Sequence, residues 1–575
     1  MKILSLHCDY IKFRPVQKAL KQPEQLSKEE EKGNEVRECL VILTSVEKSD
    51  EENESGIARE LIENIKDIAT QVKCKKIVLY PYAHLSSELA SPDKAIKILQ
   101  DAENLLKKEK YDVVRAPFGY YKEFELKCKG HPLAELSRNI KTETIENEKA
   151  KYKISAEEKY DCKQLLRQIS QSGLDTTKLK ENDHRILGQK LDLFSFNDVA
   201  PGMVFWHNNG LIVYNELVNF WREEHRKAGY EEISTPFVLD KRLWQISGHW
   251  EKYRENIFLT KYEGRDFAVK PMNCPGGILV YKARTRSYRE LPLKVAELGI
   301  VHRHELSGVL AGLFRVIRFT QDDAHIYCTE EQLEQEIGNV MGLVDKFYKK
   351  FGFEYHVEFS TRPEKRIGSD DLWDKAEKAL GEVLKKNKVD YKINKGEGAF
   401  YGPKIDFNIK DSLNRTWQCA TIQVDFSMPE RFELTYVGKD NKEHRPVMVH
   451  RAIYGSLERF IGILLEHTNG NLPLWLSPIQ ARVLSFTTRN VKKAQQVYEK
   501  LRQEGIRVDE DLDASTVNEK VRNAELLKIP YMIVIGDKEE KSNTLAVRKK
   551  GKKPQFGIKI DKFIEDLKEK ISKRE

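Results

Sequence analysis

A chain of 575 residues exceeds what one hydrophobic core organises, so three or four domains are expected. With 40% hydrophobic and 33% charged residues, and no apolar run near the roughly 18 residues of a membrane span, it reads as a globular protein and not an integral membrane one. A net charge of +8 permits nucleic-acid binding without requiring it, and eight scattered cysteines with no C-x-x-C pair exclude a disulfide framework and point to a reducing cytoplasm.

Residues 1–6 meet charge by Asp9 and are expected to be a short buried strand, not a secretory signal. The β-branched run 76–80 predicts a second strand. Ser91-Pro92 then opens a helix as N-cap and first helical residue, with Ile96, Leu99, Ala102 and Leu106 along one face. With a strand at 113–114, residues 1–140 form a small α/β domain. Residues 141–200 are rich in Lys, Glu, Asp and Asn and read as a charged linker with one helix near 155–170. A new apolar regime starts at Pro201. Leu217, Phe220 and Trp221 share a helical face that Gly229 ends, and many strands with glycine turns follow to 472. After a proline-punctuated junction, residues 473–575 alternate as a βαβ-type domain: a strand over 481–486, a helix over 491–501, a strand over 506–508, a helix capped by Ser515, strands over 531–535 and 545–547, and a final helix.

Three stretches carry chemistry: Thr235-Pro236-Phe237; Val301-His302-Arg303-His304-Glu305, continuing from Phe314-Arg315 through Arg318-Phe319 to His325; and Gly455-Ser456-Leu457-Glu458-Arg459-Phe460. Arg315, Arg318 and Arg459 interrupt apolar patterns, and charges so placed need partners. In this order the stretches resemble motifs 1, 2 and 3 of class II aminoacyl-tRNA synthetases. Such enzymes activate an amino acid on the α-phosphate of ATP, a reaction suited to planar, permanently charged guanidinium groups. The resemblance implies that Arg303 holds the α-phosphate and the amino-acid carboxylate, and that Glu305 faces the adenine amine. Phe319 and Arg459 take the two faces of the adenine ring, while Arg315 and Gln418 serve the nucleotide, with Mg2+ accompanying ATP. No Gly-x-x-x-x-Gly-Lys-Ser/Thr loop offers a P-loop instead.

Met272-Asn273-Cys274-Pro275-Gly276 and Tyr401-Gly402-Pro403-Lys404-Ile405-Asp406 narrow the resemblance to the threonyl-tRNA synthetases, and residues 1–140 narrow it to their archaeal type. It implies a Zn2+ held by Cys274, His325 and His450. Three protein ligands leave one position open, and an open position can take a substrate amine and hydroxyl. Asp323 is expected on the substrate hydroxyl, with Gln321, Tyr401, Lys404 and Gln423 lining the pocket. Gly277 stands where many members have histidine, and His249 is a candidate for proton handling near the tRNA end.

Serine, one methyl smaller than threonine, would pass such a site at about 10- to 200-fold discrimination, so a hydrolytic domain is expected. Residues 1–140 resemble the archaeal editing domain, itself similar to D-aminoacyl-tRNA deacylases. His84, Tyr121, Lys122 and Glu135 match its site, and His84 and Lys122 are implied in catalysis. Residues 473–575 resemble the shared anticodon-binding domain, with Glu539 and Arg548 against anticodon bases. The whole is expected to be multidomain, α/β and α+β, around a class II antiparallel sheet, and homodimeric. Its partners would be threonine, ATP and tRNA(Thr), with no membrane. Two rivals are a prolyl or seryl ligase and a catalytically dead RNA-binding paralogue. The set Cys274, His325 and His450 argues against prolyl, the C-terminal domain argues against seryl, and intact Arg303, Glu305 and Arg459 argue against the paralogue.

Overall fold

A computed structural model describes residues 1–20, 23–27, 30–86, 88–131, 133–140, 161–169, 179–411 and 414–575. The chain divides into two compact units, Met1–Glu158 and Lys159–Glu575.

In the first unit, chain order runs β1 (Lys2–Lys18), β2 (Asn34–Ser45), α1 (Glu54–Gln71), β3 (Lys76–Pro81), α2 (Pro92–Lys108), β4 (Asp112–Arg115), β5 (Tyr120–Cys128) and β6 (Glu135–Asn139). The sheet order is β4-β3-β2-β1-β5, with β6 also paired to β1. β2, β3 and β4 are parallel, so helices must carry the crossovers between them. Both helices pack on one sheet face, through Ile57, Leu61, Ile65, Ile98, Leu99 and Leu106 against Leu40, Ile42, Ile77 and Leu79. Ser91 and Pro92 open α2 as expected, although the Ser91 hydroxyl makes no cap hydrogen bond. The buried stripe of α2 is Ala95, Ile98, Leu99, Ala102 and Leu106; Ile96 lies at its margin, half-buried.

The second unit is built on an eight-stranded sheet. Its order is Tyr391–Asn394, Glu354–Ser360, Lys404–Lys410, Thr416–Asp425, Val447–Ala452, Arg318–Cys328, Leu293–His302 and Glu231–Glu232. The six inner strands pair antiparallel, and only the two outermost pairs are parallel. Helices Asn208–Lys227, Glu330–Phe351 and Leu457–Thr468 contribute to one continuous core with the sheet. Strands send alternate residues to opposite faces. Along Arg318–Cys328, Ala324 and Ile326 enter that core, so Phe319, Gln321, Asp323 and His325 share the other face.

Residues beyond 480 form a five-stranded sheet, ordered Val508–Asp511, Ala481–Ser485, Tyr531–Ile535, Thr544–Lys549, Gln555–Lys559. The helix expected to be capped by Ser515 is capped by Thr516, whose hydroxyl accepts the Glu519 amide. Arg507 ties this part to the sheet unit, donating to the Trp475 and Ser477 carbonyls and pairing with Glu216 at 2.9 Å.

The stretch read as a charged linker needs correction at its C-terminal end. Part of it, including 155–160 and 170 of the predicted helix, lies outside the described residues; the described helix is Cys162–Ile169. Helix His184–Lys190 and strand Phe194–Ser195 follow, and Leu187, Leu191, Leu193 and Phe194 are buried in the same core as Leu217, Trp221 and Phe460. A two-turn helix among charges carries too few apolar positions to show a period. Leu187→Ala should therefore act as a core truncation, costing about 2–5 kcal/mol and lowering the thermal midpoint of the second unit. An unchanged midpoint would mean the segment is the linker its composition suggests.

Candidate active site

The face of the sheet opposite the helical core carries two cavities. The larger, about 540 Å³, is lined by Arg303, Glu305, Arg315, Phe319, Gln418 and Arg459 among others. All six expected nucleotide residues thus meet at one place. Arg303 follows strand Leu293–His302; its Nε donates to the Pro271 carbonyl at 3.2 Å and its guanidinium lies 5.1 Å from the Phe319 ring centre. Arg315 Nε meets Glu305 Oε2 at 2.9 Å. Arg459 sits in the first turn of helix Leu457–Thr468, its Nε donating to the Phe314 carbonyl at 2.9 Å. Burial, reinforced by Arg303 and Arg315, lowers the Arg459 guanidinium from its ordinary value. Three guanidinium groups against one carboxylate give a cavity that favours a polyanion. Arg318, the other charge in the apolar run, pairs with buried Glu458 at 3.5 Å. Burial pushes that carboxyl up to about 7.

The smaller cavity, about 320 Å³, is lined by Cys274, Gln321, Asp323, Tyr401, Gln423 and His450. It shares Tyr253, Arg303, Gln321 and Thr421 with the larger one. Strand register builds its floor. His325 stands opposite His450, His450 opposite Gln423, and Gln423 opposite Lys404, a row across four strands. Cys274 joins from the start of helix Cys274–Lys282. The potential ligand atoms of Cys274, His325 and His450 lie within 4.8 Å of one another, although the three residues are far apart in sequence.

The donor atoms and their surroundings test whether these residues suit a metal. His325 Nε2 is buried with no hydrogen-bond partner. One thiol and two imidazoles form a donor set suited to a borderline-soft cation. Burial pushes the Cys274 thiol well up and the His325 imidazole well down, so both are neutral in the protein alone. His450 Nε2 sits 3.0 Å from Asp425 Oδ2, the carboxylate partner that orients metal-bound histidines. The residues fit the group.

Asp323 is buried and pushed up to about 7 by desolvation, with Asn273 Nδ2 at 3.4 Å. Tyr401 Oη donates to Gln423 Oε1 at 2.5 Å. Lys404 stands opposite Gln423, and its ammonium meets Asp406 at 2.8 Å. His249 is fully buried, its nitrogens 2.8 Å from Ser247 Oγ and Met272 Sδ, and burial lowers it to about 3. Through Met272 and the Phe400 and Tyr401 rings it packs against the cavity wall. A Cβ at Gly277 would lie 3.4 Å from His325 Nδ1, ordinary van der Waals contact with the imidazole.

In the first unit, His84, Tyr121 and Lys122 line a cavity of about 420 Å³ with Tyr80, Tyr82 and Phe118. Lys122 Nζ donates to the carbonyls of Pro117 at 2.9 Å and Tyr120 at 3.3 Å, and faces the Tyr80 ring at 5.0 Å. Burial lowers its ammonium to about 8. Glu135 is a second correction. Lys122 stands opposite Pro15 of β1 and Glu135 opposite Leu6, nine positions away. At strand rise that is roughly 30 Å, too far for the two to share one network within a chain.

Comparison with known proteins agrees in three places. Residues 1–140 match the Archaea-specific editing domain of threonyl-tRNA synthetase, 258–468 the tRNA synthetase class II core domain (G, H, P, S and T), and 480–570 an anticodon binding domain. A solved structure titled as the RNA binding domain of threonyl-tRNA synthetase from Cryptosporidium parvum Iowa II is 42% identical, with TM-score 0.66, over 67% of this chain and 98% of that one. This chain belongs to the threonyl-tRNA synthetase family. Threonine--tRNA ligases of Carboxydothermus hydrogenoformans and Desulfatibacillum aliphaticivorans are 54% and 56% identical over 396 and 388 residues, 68% of this chain in each case. The chain spans about 62% of the length of these relatives. The family's multidomain architecture, with a class II core, is the fold described above.

In this threonyl-tRNA synthetase family member, the two residues expected at the anticodon already have partners within the chain. Glu539 Oε2 accepts the Gly536 amide at 3.1 Å, capping its own helix, and Arg548 Nη2 lies 3.4 Å from Glu525. The residue most conspicuously missed from sequence is Asp322. It points into the core side of its strand and accepts the amides of Ile453, Tyr454 and Gly455 at 2.9–3.2 Å. That clamp fixes the turn leading into Arg459. Burial pushes Asp322 up to about 6. Only the face alternation of its strand could have signalled it. Asp322→Ala would leave three amides without their acceptor, the buried ones of Ile453 and Tyr454 at about 1–3 kcal/mol each, lowering the thermal midpoint more than Asp322→Asn, which keeps one acceptor. Equal midpoints for the two variants would contradict the clamp.

Proposed function

We propose that the chain is a threonine--tRNA ligase. It would form threonyl-adenylate from threonine and ATP, transfer threonine to the 3′ end of tRNA(Thr), and hydrolyse mischarged seryl-tRNA in residues 1–140. The observation that carries the reading is the pair of adjoining cavities that share Arg303, one rich in guanidinium and the other in metal-binding side chains. A carboxylate in the smaller cavity and an α-phosphate in the larger would meet at Arg303. Its guanidinium neutralises both anions and offsets charge gathering on the phosphate as the carboxylate attacks. Arg459 and Arg315 would hold the outer phosphates, with Mg2+, and stabilise the leaving pyrophosphate. Glu305 would exchange its Arg315 contact for the adenine amine, and the Phe319 ring would stack on the base.

Cys274, His325 and His450 would hold Zn2+, which supplies a Lewis-acidic position for an amine and a β-hydroxyl. Asp323 and Gln321 line the same space; Gln321 Oε1 is buried without a partner and is free to accept from a substrate. Valine, lacking a hydroxyl, would be refused by about 10⁴-fold or more; serine would not. Lys122, with His84 and Tyr121 beside it, would bring positive charge to the seryl ester for water attack. Residues 473–575 would read the anticodon, with Glu539 and Arg548 releasing their present partners. Phe237 and Val238, half-exposed at motif 1, and Leu259 and Tyr262 on the adjoining small sheet suit a homodimer interface. Among the described residues no helix is long and apolar enough to cross a membrane.

Threonine-dependent exchange of pyrophosphate into ATP tests the ligase. Threonine and serine should support it and valine should not, and stripping one Zn2+ per chain should abolish it. Full activity in a metal-free chain would end the threonine reading. Lys122→Ala should leave exchange intact while seryl-tRNA accumulates. Because burial lowers the ammonium to about 8, its charge is present below that pH and lost above it. Enzyme-dependent hydrolysis should therefore fall as pH rises through about 8; a rate that climbs past pH 9 would exclude the cationic role.

A further inference from the structure

His184 lies in the segment that composition assigns to a linker, yet it is 1% exposed and both ring nitrogens are committed. The Leu313 amide lies 2.9 Å from Nε2, and an amide can only donate, so Nε2 is the bare nitrogen. Nδ1 therefore carries the proton, and it donates to Glu466 Oε1 at 2.6 Å. The same carboxylate oxygen accepts the His184 amide at 3.0 Å. The other Glu466 oxygen is held by Arg415. Asp183, His184 and Glu466 lie close enough to suggest a cation site, but these hydrogen bonds leave the imidazole no free nitrogen for one.

What His184 grips is the turn at 312–315. The Phe314 ring is held between His184 at 4.2 Å and Trp417 at 4.3 Å, with the Arg415 guanidinium 5.6 Å away. Gly312 has φ +53, and a Cβ there would fall 2.2 Å from His184 Nε2, so the turn and the imidazole are fitted to each other. From this turn the Phe314 carbonyl receives Arg459 Nε at 2.9 Å, and Arg315 reaches Glu305 at 2.9 Å. Phe314, Arg315 and Arg459 all line the larger cavity, and His184 does not.

We propose that His184 is a positioning residue for ATP: oriented by Glu466, it fixes the 312–315 turn so that Arg315 and Arg459 are aimed into the nucleotide cavity. This rests on the adenylate-forming reading above. A shift in that turn moves two guanidinium groups together and touches none of Cys274, Asp323 or Tyr401, so the defect should be selective for the nucleotide.

The test is threonine-dependent pyrophosphate exchange by the full chain, with KM for ATP and for threonine measured separately. His184→Ala should raise KM for ATP by about 10- to 100-fold, the scale on which misplaced positioning groups act, with KM for threonine within about twofold. His184→Gln, whose amide can accept from Leu313, should recover most of the ATP affinity. Gly312→Ala displaces the same contact from the opposite side and should reproduce the ATP-selective defect, which keeps the test available if His184→Ala does not fold. The proposal is overturned if both KM values move together, if ATP affinity is unchanged, or if His184→Gln is as damaged as His184→Ala. A wild-type chain with no threonine-dependent exchange overturns the adenylate reading, and this inference with it.

Discussion

Antiparallel register between Lys404–Lys410, Thr416–Asp425, Val447–Ala452 and Arg318–Cys328 is the constraint on which the rest of the second unit depends. Strand spacing of about 4.8 Å sets Gln423, His450 and His325 side by side, and the two-residue period decides which neighbours face the cavities and which face the core. A slip by one residue would bury Asp323 and His325 among aliphatic side chains and expose Ala324 and Ile326. The helices Asn208–Lys227, Glu330–Phe351 and Leu457–Thr468 hold the register by demanding an apolar surface on one face only. Binding chemistry and folding are thus specified by the same alternation.

The cavities add an electrostatic layer to that frame. Arg303, Arg315 and Arg459 would repel one another if they faced only each other. The structure answers with Glu305 inside the cavity and with buried acceptors behind it: Glu458 holds Arg318 and the Thr320 amide, and Asp322 holds the turn before helix Leu457–Thr468. Asp322 and Glu458 are desolvated and have raised proton affinity, tolerable because donors surround each carboxylate. Arg303 and Arg459 are thus held by backbone carbonyls before any anion arrives, which is the condition under which they act most strongly on developing charge.

How far the sequence could be read depended on whether chemistry lay in contiguous residues. The stretches around Arg303, Phe319 and Arg459 were legible because each is continuous, and the structure brings them to one cavity. Cys274, His325 and His450 were legible only through a family resemblance, since their spacing follows strand order and not a local turn. Asp322 was hidden by its neighbour Asp323, which faces the cavity. His184 was hidden by surrounding charge, and with it the buried Leu187, Leu191 and Leu193. Glu135 shows the opposite error: a matching residue says nothing about where a strand carries a side chain, and β1 separates Glu135 from Lys122.

The helices α1 and α2 close a core of their own, with no member in common with the core beneath the large sheet. Two cores that share no side chain can melt at different temperatures. On the ligase reading proposed above, heating would then remove one of the two proposed capabilities before the other. If the 1–140 portion failed first, charging would continue without correction and serine would enter proteins at threonine codons. If the larger unit failed first, output would stop but stay accurate. On that reading, the relative robustness of the two interiors sets whether heat stress degrades the fidelity of translation or only its rate.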